Sequence, residues 1–162
     1  MLASLNNSVD SERCVVMLHG YGANKEDLFG LHTLFADAHV ISFEGPISLP
    51  GFSGGRAWFN LEFTPLGISY VEPELFIALE LLQAELLELK KKFKEIILLG
   101  FSQGAILSYA LSLHTEKIPY VIALSGYLNE DLLRKPIHTN TDYFVSHGSV
   151  DQVIPVAWAQ KT

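Results

Sequence analysis

The sequence predicts an α/β protein, a mostly parallel sheet with helices on both faces. Three observations carry the prediction. Short apolar runs alternate with helix-period segments along the chain, the pattern of βαβ units. Those runs lack the polar alternation of a half-exposed strand, as in strands covered on both faces. Hydrophobic residues make up 49% of the 162, with a mean hydropathy of +0.25. That is high for a small domain; a doubly covered sheet accounts for it, and so does a chain that lacks part of its fold. The length suits one domain with a real core, residues 1–162.

Each element follows from its local pattern. Residues 13–18, RCVVML, end at His19-Gly20 and read as a buried strand. Residues 24–35 place Leu28, Leu31, Leu34 and Phe35 at helical spacing, with Asn24 as cap and acids in the first turn. Residues 39–43 are a second strand. Residues 45–69 are rich in Gly and Pro and read as one long loop, a length that in compact domains belongs to lids and binding loops. The strongest helix comes next. Leu75, Leu79, Leu82, Leu86, Leu89 and Phe93 form one apolar stripe, Glu72 and Glu74 open it, and Lys90, Lys91, Lys92 and Lys94 close it, as the helix dipole favours. Residues 95–99, EIILL, are the most apolar strand. Residues 102–114 form a helix, residues 120–124 and 143–146 two more strands, and a last helix starts at Val156.

Charge and composition narrow the function. A net charge of −7 argues against nucleic acid and anionic membranes as main partners. Cys14 is the only cysteine, so no internal disulfide forms, and the N-terminus lacks the basic start and apolar stretch of a signal peptide. A cytoplasmic protein is expected. No apolar run is long enough to span a bilayer.

Three motifs carry chemistry. Gly100-Phe101-Ser102-Gln103-Gly104 fits G-x-S-x-G between a strand and a helix, the context in which that motif presents a nucleophilic serine. The competing reading is an ordinary helix cap with glycines in its turn. Leu18-His19-Gly20-Tyr21-Gly22 ends the first strand, where a Gly-rich turn aims a backbone N–H into the same crevice. The N–H groups of Tyr21 and Gln103 are the candidate oxyanion donors, and His19 is expected to be hydrogen-bonded within its turn. The third motif, Ser146 to Pro155, contains Asp151. It follows Ser102 in the order serine, acid, histidine used by one class of triads, although an acid here also suits a simple turn.

Together and in this order the motifs resemble the phospholipase/carboxylesterase family of α/β-hydrolases, which includes the acyl-protein thioesterases. MLHGYGANKEDLFGL is similar to its oxyanion segment, GRAWFNL to its aromatic loop, LLGFSQGAILS to its nucleophile elbow, ALSGYL to the next strand end and SHGSVDQVIP to its acid loop. The resemblance implies the α/β-hydrolase fold, Ser102 as nucleophile, Asp151 as acid, and the Tyr21 and Gln103 backbones as oxyanion donors. It places Trp58 and the 45–69 loop near the acyl site, although a buried core tryptophan is an equal reading. The implied substrates are small-molecule esters, lysophospholipids or acyl thioesters, and the chemistry needs no metal or organic cofactor.

The family's base is a histidine roughly thirty residues after the acid, since the triad order ends with His. Only eleven residues follow Asp151 here, and none is His. All six histidines (His19, His32, His39, His114, His138 and His147) precede Asp151. His147 is nearest the acid, but HG at that place is part of the family pattern beside a separate base. His114 lies about 18 Å from Ser102 by helical rise. The expectation is a chain incomplete at its C-terminus, lacking the last strand, the last helix and the base. Two functional readings follow: a serine esterase or thioesterase impaired in this chain, or a non-catalytic relative that binds acyl ligands. Loss of a last strand would leave an open sheet edge, and self-association is expected through it.

Overall fold

The alternating apolar runs assemble into a six-stranded sheet in the computed structural model, which describes residues 1–64, 67–128 and 140–162. A short strand β1 (Ser4–Asn6) precedes β2 (Arg13–Leu18), helix α1 (Lys25–Phe29) and β3 (His39–Phe43). Two small antiparallel hairpins follow, β4 (Ile47–Ser48) with β5 (Arg56–Ala57) and β6 (Leu61–Thr64) with β7 (Gly67–Tyr70). Then come helix α2 (Glu72–Lys90), strand β8 (Glu95–Phe101), helix α3 (Gln103–His114), strands β9 (Tyr120–Leu124) and β10 (Asp142–Ser146), and the short helix α4 (Val156–Ala159). The sheet order is β1-β3-β2-β8-β9-β10, and every neighbouring pair is parallel except β1 with β3.

Alternation along β2 explains why RCVVML has no polar residue after Arg13. Cys14, Val16 and Leu18 enter the core shared with α2 and α3, while Val15 and Met17 enter a second core with Leu28, Phe29 and Phe35. Each face of the strand has its own cover. The leucine stripe of α2 behaves as its spacing requires, with Leu75, Leu79, Leu82, Leu86 and Leu89 buried. Full burial of one such side chain contributes about 1.5–3 kcal/mol. Helix α3 packs against β8, β9 and α2, and every residue from Gln103 to Leu113 is buried.

Four details depart from the sequence reading. The 24–35 helix is divided, with five α-helical residues followed by a 3₁₀ segment, Gly30–Phe35; a glycine inside a helix weakens it, and 3₁₀ turns commonly replace a last α turn. Asn24 caps α1 as expected, its Oδ1 accepting the Glu26 N–H at 2.8 Å. The 45–69 stretch is not one loop but holds the two hairpins, whose strands are too short for a period to register. Strand β1 gives no strong apolar signal because it is only partly buried. Strand β8 runs two residues further than EIILL, to Phe101. His138 lies outside the described residues.

The two ends of the sheet order differ in kind. The antiparallel β1 extends β3 at one end. At the other, β10 pairs only with β9 among the described residues, and all five of its residues are exposed.

Candidate active site

Strand β8 ends at Phe101 and α3 begins at Gln103, so Ser102 alone makes the turn. Its backbone sits at φ 53° and ψ −115°, a region that non-glycine residues enter at a cost of about 1–3 kcal/mol. The turn is held from several sides. Ser102 N–H donates to Leu124 O at 2.9 Å, and Ser102 O accepts from Ala105 N–H and Ile106 N–H at 2.9 and 3.1 Å. The flanking glycines are required by close approach. A Cβ on Gly104 would stand 1.9 Å from Leu18 O, and one on Gly100 would stand 2.2 Å from Gly104 O. The elbow is thus pressed against the end of β2, and only glycine permits it.

The same contact brings the 19–22 turn to the serine. A Cβ on Gly20 would lie 3.3 Å from Ser102 Cβ. Gly22 N–H donates to Arg56 O and Ala23 N–H to Gly20 O, whereas Tyr21 N–H has no acceptor among the described residues. Gln103 opens α3, and the first N–H groups of a helix have no partner inside it. Its side chain is buried and spans two backbones: Trp58 N–H donates to Oε1 at 3.0 Å, and Nε2 donates to Phe59 O at 2.6 Å.

His19 has the structural place its turn suggested. Nε2 accepts Gly45 N–H at 2.9 Å, and Nδ1 faces Gly20 O at 2.8 Å. Burial pushes its pKa below the ordinary value of 6.5, so the ring stays neutral. Trp58 lies beneath the site rather than in it. It is 1% exposed, stacks obliquely on His19 at 5.2 Å, and donates its indole N–H to His19 O at 3.0 Å. The cleft wall is built instead by its neighbour Phe59, together with Leu61, Tyr70, Ile106, Tyr127 and Trp158. The sequence reading did not single out these residues. Adjacency to Trp58 in GRAWFNL was the one available signal for Phe59, and the others come from separate elements.

Ser102 and Gln103 open onto this apolar cleft of about 50 Å³, and so do Val153 and Ile154 of the acid loop. Asp151 is fixed by those two residues, its Oδ1 accepting Val153 N–H at 2.9 Å and Ile154 N–H at 3.0 Å. The Ile154 and Val153 N–H groups hold its carboxyl below the usual 3.8, with a smaller contribution from His147. His147 Nε2 lies 3.5 Å from Asp151 Oδ2 and donates to Ile154 O at 2.8 Å. Its Nδ1 is buried without a partner among the described residues.

Ser102, the Gln103 backbone and the Asp151 loop therefore meet at one cleft, with the Tyr21 turn against the serine from the β2 side. Ser102 Oγ has no hydrogen-bond partner among the described residues. A much larger cleft, about 910 Å³, lies at the far end of β8 between Lys90–Lys94 and His114–Lys117 and contains no predicted site residue. Among the described residues no group of three or more His, Cys, Asp or Glu side chains is placed to hold a metal ion. No described helix is long and apolar enough to cross a membrane.

Comparison with known proteins establishes the fold and the family. Acyl-protein thioesterase 1 of Candida albicans is 28% identical over 181 aligned positions, spanning 96% of this chain and 78% of that protein. The crystal structure of esterase PE8 superposes with a TM-score of 0.84 at 26% identity, covering 99% of this chain and 80% of its own. A Bacillus cereus carboxylesterase shares the fold at a TM-score of 0.81 and 20% identity, over 99% of this chain and 77% of that one. The architecture is the α/β-hydrolase fold, and the match to the phospholipase/carboxylesterase family model runs over residues 5–162, so the chain belongs to that family.

Proposed function

We propose that this chain carries the acyl-transfer site of a serine hydrolase acting on carboxylic esters or acyl thioesters, with Ser102 as the nucleophile. The observation that supports it most is the strained, glycine-flanked turn that holds Ser102 at the mouth of an apolar cleft. Strain kept at one half-buried hydroxyl on a cleft has a use when that hydroxyl must meet a substrate.

In the proposed reaction Ser102 Oγ attacks the acyl carbonyl. The carbonyl oxygen takes up the electron pair and is bound by the N–H groups of Tyr21 and Gln103. Collapse breaks the bond to the leaving group, which departs as the alcohol or thiol with the proton given up by Ser102 Oγ, and leaves an acyl group on Oγ; water then cleaves it to the acid and returns a proton to Oγ. Phe59, Ile106 and Tyr127 offer the acyl group an apolar wall. The small cleft suits the reacting carbonyl and its first carbons, since pockets for whole ligands run to about 300–1,000 Å³. Asp151 would orient and stabilise an imidazolium.

The imidazole itself is not provided by the described histidines. His19 and His147 are engaged as above, His32 and His39 face Phe29 O and Val9 O, and His114 ends α3 far from the serine. The 162-residue chain by itself is expected to turn over slowly, keeping about 10³–10⁴-fold over water from oxyanion binding and positioning. Self-association through the β10 edge belongs to the same reading.

The test is labelling with a fluorophosphonate. The expected result is a single adduct on the peptide carrying Ser102, absent from Ser102→Ala and formed faster when free imidazole is added. Folded chain that never labels, with or without imidazole, would favour the non-catalytic reading.

A further inference from the structure

We propose that His19 is a positioning residue, whose buried imidazole fixes the Gly20–Tyr21 peptide and so aims the Tyr21 N–H at the reacting oxygen. The proposal rests on the serine-hydrolase reading above and adds to it a side chain that never touches substrate.

The geometry begins with the two ring nitrogens. His19 is fully buried. Gly45 N–H can only donate, so Nε2, at 2.9 Å, must accept. The ring proton therefore sits on Nδ1, which donates to the Gly20 carbonyl at 2.8 Å. In a trans peptide the carbonyl and the following N–H point in opposite directions. Holding Gly20 O against the imidazole turns Tyr21 N–H away from it, and that N–H is left without an acceptor among the described residues. The preceding peptide is held as well, because His19 O accepts the Trp58 indole N–H at 3.0 Å. Two successive carbonyls of the turn are thus tied by two buried side chains, beside a glycine whose Cβ would lie 3.3 Å from Ser102 Cβ. Only one other donor reaches Gly20 O among the described residues, Ala23 N–H at 3.3 Å. It is the longer of the two bonds and comes from within the same turn, so it follows the turn rather than anchoring it.

Gly45 follows β3, so the ring also couples the oxyanion turn to the neighbouring strand. His19 has no free nitrogen with which to carry the Ser102 proton. Its part is to present a backbone donor already oriented, the condition under which such donors act most strongly.

The experiment is saturable phosphonylation of the 162-residue chain by a fluorophosphonate, comparing the unmodified chain with His19→Phe and His19→Gln. Phenylalanine fills the space without a hydrogen bond, whereas glutamine restores an amide donor and acceptor. Complete loss of an oxyanion donor costs about 10²–10³-fold; here the donor remains and is only mis-aimed, so the maximal labelling rate should fall about tenfold in His19→Phe. The half-saturating concentration should change less than about twofold, because the N–H acts on the transition state and not on binding. His19→Gln should recover most of the rate. A purely structural role would lower the melting temperature and leave the maximal rate per folded molecule unchanged, and that result overturns the proposal. Residual dipolar couplings of the backbone N–H vectors decide the point without any labelling. Tyr21 N–H should reorient relative to β2 and β8 in His19→Phe and return in His19→Gln, and an unmoved vector overturns the proposal. If no form reacts with the phosphonate, the serine reading fails while the couplings still decide the role of His19. Should His19→Phe not fold, His19→Leu, which likewise has no group to donate to Gly20 O, replaces it.

Discussion

Strands β2 and β10 are both apolar in sequence, yet they have opposite fates. Cys14 to Leu18 of β2 are 0–1% exposed, while Tyr143, Phe144 and Val145 of β10 are 40%, 63% and 46% exposed. The difference lies in their neighbours. β2 has a parallel partner on each side and a hydrophobic cluster on each face, whereas β10 has one partner, β9, among the described residues. The candidate site straddles the two regions. Ser102 and both candidate oxyanion segments belong to the enclosed half, held by contacts between distant segments. Asp151 belongs to the open half and is held by the N–H groups of Val153 and Ile154, two and three residues away. A carboxylate can thus be placed by local hydrogen bonds alone, while the serine elbow needs the packed sheet behind it.

Paired substitutions sharpen that contrast. The largest effect is expected at the elbow. Gly104→Ala forces a methyl to 1.9 Å from a backbone oxygen that cannot withdraw and should destabilise the fold by about 3 kcal/mol or more, whereas Gly148→Ala, whose Cβ meets nothing nearer than 3.8 Å, should stay within about 0.5 kcal/mol. Urea unfolding of the two variants measures both, and equal losses would break the comparison. Next is the core pair. Met17→Ala, from a site 0% exposed, should cost about 2–5 kcal/mol, and Phe144→Ala, from a site 63% exposed, within about 0.5 kcal/mol.

Acid should affect the two halves in different windows. His19 is harder to protonate in the folded chain than in the unfolded one, so its contribution to stability is full above 6.5 and declines as pH falls below it. Asp151 is harder to protonate when folded too, and its contribution is lost only as pH falls below 3.8. The urea midpoint should therefore drop between pH 7.5 and 5.5, and His19→Gln should flatten that drop while Asp151→Asn does not. The smallest effect concerns association. Phe144→Lys should lower the mean mass measured by light scattering at high concentration, leaving stability nearly unchanged. An unmodified chain that is already monomeric there would remove the edge from consideration.

Much of this was legible along the chain. β2, α2, β8, α3 and β9 lie where their apolar periods put them, because each period reports a face that must be covered. Asn24 announced the cap of α1, and the strand-glycine-serine-glycine-helix order announced the elbow. The hairpins within 45–69 escaped notice, since strands of two to four residues show no period. Trp58 drew attention through the family resemblance, which left a buried core tryptophan as an equal reading, and Phe59 beside it is the residue that lines the cleft.

Local chain chemistry by itself determined where the main strands and helices lie, that Ser102 stands on a turn between two of them, and that Asp151 sits in a loop whose own N–H groups can hold a carboxylate. Only the tertiary structure decided why Gly104 must be glycine, which nitrogen of His19 carries the proton, and which side chains wall the cleft. Those outcomes depend on contacts between segments remote in sequence, such as Gly104 with Leu18, His19 with Gly45 and Gln103 with Trp58. A local period records that a side chain will be buried; the partner that buries it is chosen by the packing of the whole sheet.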